Sequence, residues 1–278
     1  MEKYDKFKID NIKSLKQPTI YFWLKENGFS EHFIKALRKN DNSFKLNGQI
    51  CAIKQKLKTK DCLEVLKNPQ SGSNFEGCDG ELDIIFEDED YLIVNKPHLL
   101  SCIPTRSHYK NNLGGQAVNY LKNTNPNFVL RIVNRLDKDT AGIVIIAKST
   151  FAYNTLKIIK KNYYALCLGT PSNNQTITAA ILTKTENGVN QMKRIVSPDG
   201  KPATTHLHLE KNFSSYSLVK LNLETGRTHQ IRVHLSHIGH PLIGDSIYNP
   251  NPQTESHTFL ILKEISFVHP KTKKEINK

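Results

Sequence analysis

Long apolar runs are missing from the chain. No stretch approaches the roughly 20 residues that cross a bilayer as a helix, and Met1-Glu2-Lys3-Tyr4-Asp5 lacks the apolar core of a secretory signal. The expectation is a cytoplasmic protein with no membrane partner. Cysteines are few: Cys51, Cys62, Cys78, Cys102 and Cys167 form an odd set without a Cys-x-x-Cys pair, which argues against a disulfide framework and a zinc ribbon. Neither a Gly-x-x-x-x-Gly-Lys phosphate cradle nor a Gly-x-Gly-x-x-Gly loop occurs, so no nucleotide cofactor is implied. No helix-turn-helix, basic zipper or zinc finger is recognisable, which disfavours a DNA-binding regulator. His229, His234, His237 and His240 lie close together. A His-Glu-x-x-His pattern is lacking, however, and no thiolate or carboxylate is spaced to complete a tetrahedral set, so no metal is expected.

Basic residues are abundant. Lys and Arg total 39 against 26 Asp and Glu, a formal charge of +13 in 278 residues. Such an excess favours a polyanionic partner without choosing among RNA, DNA and an anionic membrane. Its distribution is uneven: residues 1–70 carry 15 basic and 8 acidic side chains, residues 71–90 none and 8, and residues 91–278 carry 24 and 10. Two basic bodies therefore flank an acidic stretch. Gly, Ser and Asn accompany the like charges there, so residues 71–81 read as a linker between a module at 1–70 and a main body at 82–278.

Apolar spacing predicts a helix over residues 19–27 ending at Gly28, and a second from an N-cap at Ser30 through Lys39. Residues 43–46 and 49–53 flank Asn47-Gly48 as a hairpin, with a closing strand at 61–66. Beyond the linker, 82–86 and 91–94 form a second hairpin pattern ended by Pro97, and 113–121 can be a helix. Residues 131–133 and 143–146 read as buried strands. Ser149 caps a helix to about Lys160, and 163–167 switches to a strand. Asn187-Gly188 and Pro198-Asp199-Gly200 are turn signals. Residues 217–223 alternate as a strand, 227–237 carry helical spacing, and 259–261 and 265–268 close the chain as strands. Strands dominate without βαβ alternation, so the expected class is α+β with a largely antiparallel mixed sheet and flanking helices.

Between the two runs at 131–133 and 143–146 sits a polar segment carrying Asp137, with Arg135 two residues before it and Lys138 directly after. Neighbouring cations favour an ionised, acceptor-only carboxylate. On the residues alone, Asp137 could brace a turn, pair with a cation or act on a substrate.

Asn134-Arg135-Leu136-Asp137-Lys138-Asp139-Thr140-Ala141-Gly142 resembles the signature loop of the RluA-type family of RNA pseudouridine synthases. Two more stretches follow in the family's order. Lys161-Asn162-Tyr163-Tyr164-Ala165-Leu166-Cys167-Leu168-Gly169 is similar to its tyrosine motif, and Leu223-Glu224-Thr225-Gly226-Arg227-Thr228-His229-Gln230-Ile231-Arg232-Val233-His234-Leu235 to its arginine motif. A weaker match is Leu92-Ile93-Val94-Asn95-Lys96-Pro97, and together the matches cover roughly residues 82–268.

The resemblance implies a pseudouridine synthase fold and a cofactor-free isomerisation of uridine. Asp137 would be the catalytic residue, Tyr163 would lie against a flipped base, and Arg227 would pair with Asp137. Arg135 and Lys161 become RNA-contact candidates, since a guanidinium can stack where a flipped base has left. Residues 1–70 resemble the alpha-L RNA-binding module, with Lys35, Arg38 and Lys39 as its basic face, although a merely solvated face is equally open. Asn134 and Ala141 depart from the histidine and serine often found at those positions. The implied partner is RNA, ribosomal in preference to transfer RNA, acted on by a monomer. The competing class is a non-catalytic RNA-binding or ribosome-assembly factor, for which Asp137 would be dispensable.

Overall fold

The computed structural model of the chain describes residues 4–12, 15–67, 76–104, 111–126, 128–186, 189–251, 255 and 257–278. Strand β1 (Tyr4–Lys8) precedes helices α1 (Ile20–Glu26) and α2 (Glu31–Leu37), which are followed by β2 (Phe44–Leu46), β3 (Gln49–Ile50) and β4 (Cys62–Leu66). Ser30 caps α2 by accepting from the Phe33 N–H, and Glu31 sits in its first turn, where a carboxylate suits the helix dipole. Asn47 and Gly48 both have positive φ, as the two-residue turn joining β2 to β3 requires. The four strands form a sheet in the order β1-β4-β2-β3. Strand β1 was not expected from the sequence, because Asp5 breaks its apolar pattern. That carboxylate is buried and accepts from Lys271 Nζ at 2.9 Å.

The main body begins with the hairpin β5 (Asp83–Glu87) and β6 (Tyr91–Lys96), then α3 (Leu113–Lys122), β7 (Ala141–Ala147) and α4 (Thr150–Thr155). It continues through β8 (Lys157–Leu168), β9 (Gln175–Thr178), β10 (Ile181–Glu186), β11 (Val189–Val196), β12 (Thr204–Asn212) and β13 (Tyr216–Leu223). Helix α5 (Gln230–His237), β14 (Leu260–Val268) and β15 (Glu275–Asn277) complete it. A nine-stranded sheet runs β5-β6-β7-β14-β8-β13-β12-β9 with β15 beside β14, while β10 and β11 pair separately. Within the nine-stranded sheet β14 lies parallel to β7 and the other pairings are antiparallel. The α+β class with a largely antiparallel mixed sheet is thus observed. Strand β7 is buried throughout, between neighbours on both sides, which suits its continuous Ala-Gly-Ile-Val-Ile-Ile-Ala composition.

Three local expectations change. Residues 131–133 are not a strand of the sheet; they run beside β7 through Val133 N–H to Ile145 O and Ala147 N–H to Arg131 O, both 2.8 Å. Helix α4 stops at Thr155 and β8 starts at Lys157, because Ile158 and its neighbours take up pairing with β14 from Val268 onward. The two closing strands are one, β14, with a register shift between Leu262 and Glu264. Of the expected linker, residues 71–75 lie outside the described residues, as does Asn187-Gly188. Residues 76–80 run along α3, where the Cys78 N–H donates to Gly115 O at 3.1 Å.

The two sheets are joined by packing and charge. Phe151 of α4 meets Phe7 of β1 at 4.7 Å and Phe29 at 5.0 Å between ring centroids. Lys271 donates to Asp5 and, at 2.7 Å, to Asp90, tying both bodies to one ammonium. Burial opposes that charge, but the two carboxylates outweigh it and raise the Lys271 pKa. Phe151→Ala should destabilise the protein by about 3–5 kcal/mol through the cavity it leaves. Urea unfolding checks this: the midpoint should drop with the slope retained, and an unchanged midpoint would mean the aromatic contact contributes nothing.

Candidate active site

The segment carrying Asp137 is held from three sides. Asn134 is buried; its Nδ2 donates to Ile143 O and its Oδ1 accepts from the Ile145 N–H, both at 2.9 Å. The side chain thereby substitutes for a backbone partner along β7. Asparagine at this position accordingly has a structural task that needs one donor and one acceptor. Cys102 Sγ accepts from the Leu136 N–H at 3.3 Å and donates to Leu136 O at 3.2 Å. Lys96, fully buried at the end of β6, donates to the carbonyls of Pro97, Leu100 and Lys138. Burial pulls its pKa down to about 8, against the attraction of Cys102, Asp139 and Asp137. The ammonium form therefore still prevails at neutral pH.

Asp137 itself opens the turn that its carbonyl closes by accepting from the Thr140 N–H at 3.1 Å. Chain direction then reverses into β7 through Gly142. With φ at +113°, a Cβ there would lie 2.2 Å from Leu262 O of the parallel strand, so only glycine fits. The Asp137 side chain has no ion pair or hydrogen bond among the described residues, and it lines a cleft of about 510 Å³.

Arg135, Lys161, Tyr163 and Arg227 line the same cleft, so five expected site residues converge on it. Tyr163 and Lys161 share a face of β8. Burial first, and then the Asp137 charge, push the Tyr163 phenol pKa well up, so the group is a neutral hydroxyl at neutral pH. Burial pulls the Lys161 pKa down. Lys35, Arg38 and Lys39 are not in this cleft. They remain exposed along and just after α2, with the Arg38 guanidinium 5.1 Å from the Tyr21 ring centroid.

The expected ion pair between Arg227 and Asp137 is not formed. Arg227 precedes α5 by three residues; its Nε donates to Pro202 O at 3.1 Å and its N–H to Gln230 Oε1 at 3.0 Å. The buried cation at the floor is instead Arg232, on α5. Its Nε and Nη2 each reach Asp245 at 2.7 Å and Nη1 stands 3.4 Å from Asp139. Burial opposes the charge on Arg232, yet the Asp245 bonds and the fields of Asp139 and Asp137 hold its pKa above the ordinary value. Sequence reasoning passed over Arg232 because it lies within the apolar spacing of a helix, where its carboxylate partner thirteen residues on is not visible. His229 was likewise unanticipated. It lines the cleft in the left-handed region at φ 58°, fastened through Nδ1 to the Tyr248 hydroxyl at 2.9 Å.

Asn134→Ala removes both bonds to β7 and strands buried backbone groups. It should cost about 1–3 kcal/mol; the urea unfolding midpoint checks this, and an unchanged midpoint would contradict it. A second expectation concerns pH. His234 is fully buried, with Nδ1 at 2.9 Å from Thr205 Oγ1 and Nε2 at 2.9 Å from Ala179 O. Burial lowers its pKa below 6.5, so the folded state favours the neutral ring. The stability this contributes is complete above the unfolded pKa and is lost as pH falls through the folded one. Stability should decline from about pH 7 to 5, and His234→Gln should flatten that decline; an identical profile would contradict it.

The family described as RNA pseudouridylate synthase matches residues 90–237, more than half of the chain. The chain is 32% identical over 266 residues to a Bacillus subtilis protein named uncharacterized RNA pseudouridine synthase YjbO, covering 93% of each. It is 34% identical over 224 residues to ribosomal large subunit pseudouridine synthase D of Escherichia coli, covering 77% of this chain and 67% of that one. Among solved structures, human RNA pseudouridylate synthase domain containing 1 shares the fold, with a TM-score of 0.56 at 24% identity over 71% of this chain and 82% of that one. Ordered motifs, sheet and relatives agree: the chain belongs to the RluA-type family of RNA pseudouridine synthases, and as such is an isomerase.

Proposed function

We propose that the enzyme converts specific uridines to pseudouridine in large-subunit ribosomal RNA, with Asp137 as its catalytic group. The observation that carries this reading is the convergence of an unpartnered carboxylate, a neutral tyrosine hydroxyl and a buried arginine on one cleft. The choice of RNA is supported by the name of the Escherichia coli relative, which acts on the large ribosomal subunit.

RNA is held by basic surface, with Arg135 and Lys161 at the cleft and Lys35, Arg38 and Lys39 on the alpha-L-like module at residues 1–70. The target uridine leaves the stack and enters the cleft beside Tyr163. Asp137 then either adds to C1′ of the ribose or withdraws a sugar proton. On either route the N1–C1′ bond breaks with its electron pair moving to the uracil. The retained uracil turns and C5 bonds to C1′, with the Asp137–C1′ bond breaking on the first route and the sugar regaining its proton on the second; the C5 proton is then lost and N1 takes one up. Composition and oxidation state are unchanged, so the step needs no cofactor. Arg232 acts behind the carboxylate segment as the fixed positive charge, in the place first expected of Arg227.

Pseudouridine mapping by carbodiimide-induced reverse-transcription stops tests the reading in cells carrying wild-type protein, a deletion, Asp137→Asn or Arg232→Lys. Stops in large-subunit ribosomal RNA should vanish in the deletion and in Asp137→Asn, and weaken strongly in Arg232→Lys. Loss of stops confined to transfer RNA would overturn the substrate, and stops that survive Asp137→Asn would overturn the catalytic assignment.

A further inference from the structure

A second cavity, of about 820 Å³, lies where β1 and α1 meet the start of β8 and the turn between β14 and β15. It is larger than the catalytic cleft and none of its lining residues belongs to that cleft. Five lysines line it: Lys6, Lys8, Lys157, Lys271 and Lys273. Lys271 is engaged by Asp5 and Asp90, as described. Lys8, Lys157 and Lys273 are exposed and make no ion pair among the described residues. Against them the cavity sets the carboxylates of Asp10 and Glu26.

The three ammonium groups come from three separate parts of the chain. Lys8 ends β1, Lys157 opens β8 opposite Val268, and Lys273 takes the left-handed conformation, φ 57°, in the turn after β14. Bringing exposed like charges together costs energy that a polyanion would recover by replacing their counterions. Strand β8 links the two cavities: Lys157 lines this one and Lys161 the catalytic cleft, four residues or about 13 Å along the strand.

We infer that the groove between the N-terminal sheet and the catalytic body binds the phosphate backbone of the substrate RNA through Lys8, Lys157 and Lys273. The inference rests on the proposed action on RNA and extends it. The alpha-L-like module then serves substrate binding on two sides, through the exposed face of α2 and through this seam. A groove built from both bodies reads their relative placement, so it selects RNA whose backbone passes the seam while a uridine occupies the cleft. Contacts of this kind position the substrate and carry no base sequence.

The test is binding of an in vitro-transcribed large-subunit ribosomal RNA to the full-length protein, by fluorescence polarisation across a range of KCl concentrations. Replacing Lys8, Lys157 and Lys273 together by Gln should reduce the log–log salt slope by about 2–3, at roughly 0.7–0.9 for each phosphate left unneutralised. The matching triple change to Arg should retain the slope. Removing three exposed charges elsewhere, Lys54, Lys56 and Lys58 to Gln, should lower it by less. An unchanged slope in the groove variant overturns the inference, as does an equal loss in the control variant, which would assign the effect to net charge. Binding of inorganic phosphate or uridine monophosphate lost in the groove variant, with the RNA slope intact, would mark a small-anion site and overturn it as well. Because this readout is affinity, it separates from the synthase reading. A reduced slope without any Asp137-dependent pseudouridine upholds the groove and defeats the function; pseudouridine with an unchanged slope does the reverse.

Discussion

The buried guanidinium of Arg232 is the constraint on which the site depends. Bidentate bonds to Asp245 satisfy one side of it, and Asp139, in the segment that bears Asp137, stands on the other. Asp245 is itself fixed by the N–H groups of Ile247 and Tyr248. Burial disfavours both charges, yet the arginine and those donors still hold the Asp245 carboxyl below the usual carboxylate range. Such a pair contributes little net stability over a well-packed apolar substitute, while breaking one partner is costly. Its value here is placement: it fixes α5 against the Asp137 segment, and it leaves a positive field at Asp137 without neutralising that carboxylate by contact.

Around this pair the sheet supplies rigidity. The Asp137 segment is fastened to β7 by the Asn134 amide, to β6 by Lys96 and to residue 102 by a thiol, so that each anchor uses a different chemical group. The parallel approach of β14 to β7 is close enough at Gly142 to exclude any side chain. Tyr163 enters from the next strand, opposite Leu262 of β14. Three adjacent strands therefore set the positions of carboxylate, turn and hydroxyl, and movement of one against another would open the cleft. The N-terminal sheet is fixed to the same framework through Phe151 and Lys271, which is what makes a seam between the bodies usable for binding.

Much of the fold was legible because its signals are local. Asn47-Gly48 dictates a tight hairpin, Ser30 caps α2, and the apolar run of β7 can only be buried. Expectations failed where a distant partner overrode the local pattern. Residues 157–160 look helical after Ser149 but extend as a strand because β14 lies beside them. Asp5 hides β1 until Lys271, from the far end of the chain, neutralises it. Within the site, Asp137 stood out as a carboxylate between two β-branched runs and Tyr163 through the resemblance of its motif, whereas Arg232 sat inside a helical repeat and yielded its place to the more conspicuous Arg227 after Gly226.

The sequence by itself determined the class of fold and, through three ordered motifs, the family, since these depend on residue types in short spacings; the resemblance to that family then named the carboxylate to propose for the chemistry. The sequence also pointed to a polyanionic partner, through an excess of cations that no internal pairing could cancel. Only the tertiary structure decided which arginine is buried beside the Asp137 segment, why asparagine serves at position 134, and that Lys8, Lys157 and Lys273 share one groove. Those outcomes turn on contacts between residues tens to hundreds of positions apart, where charge and hydrogen-bond satisfaction are settled by the packing of whole elements and not by any neighbour in the chain.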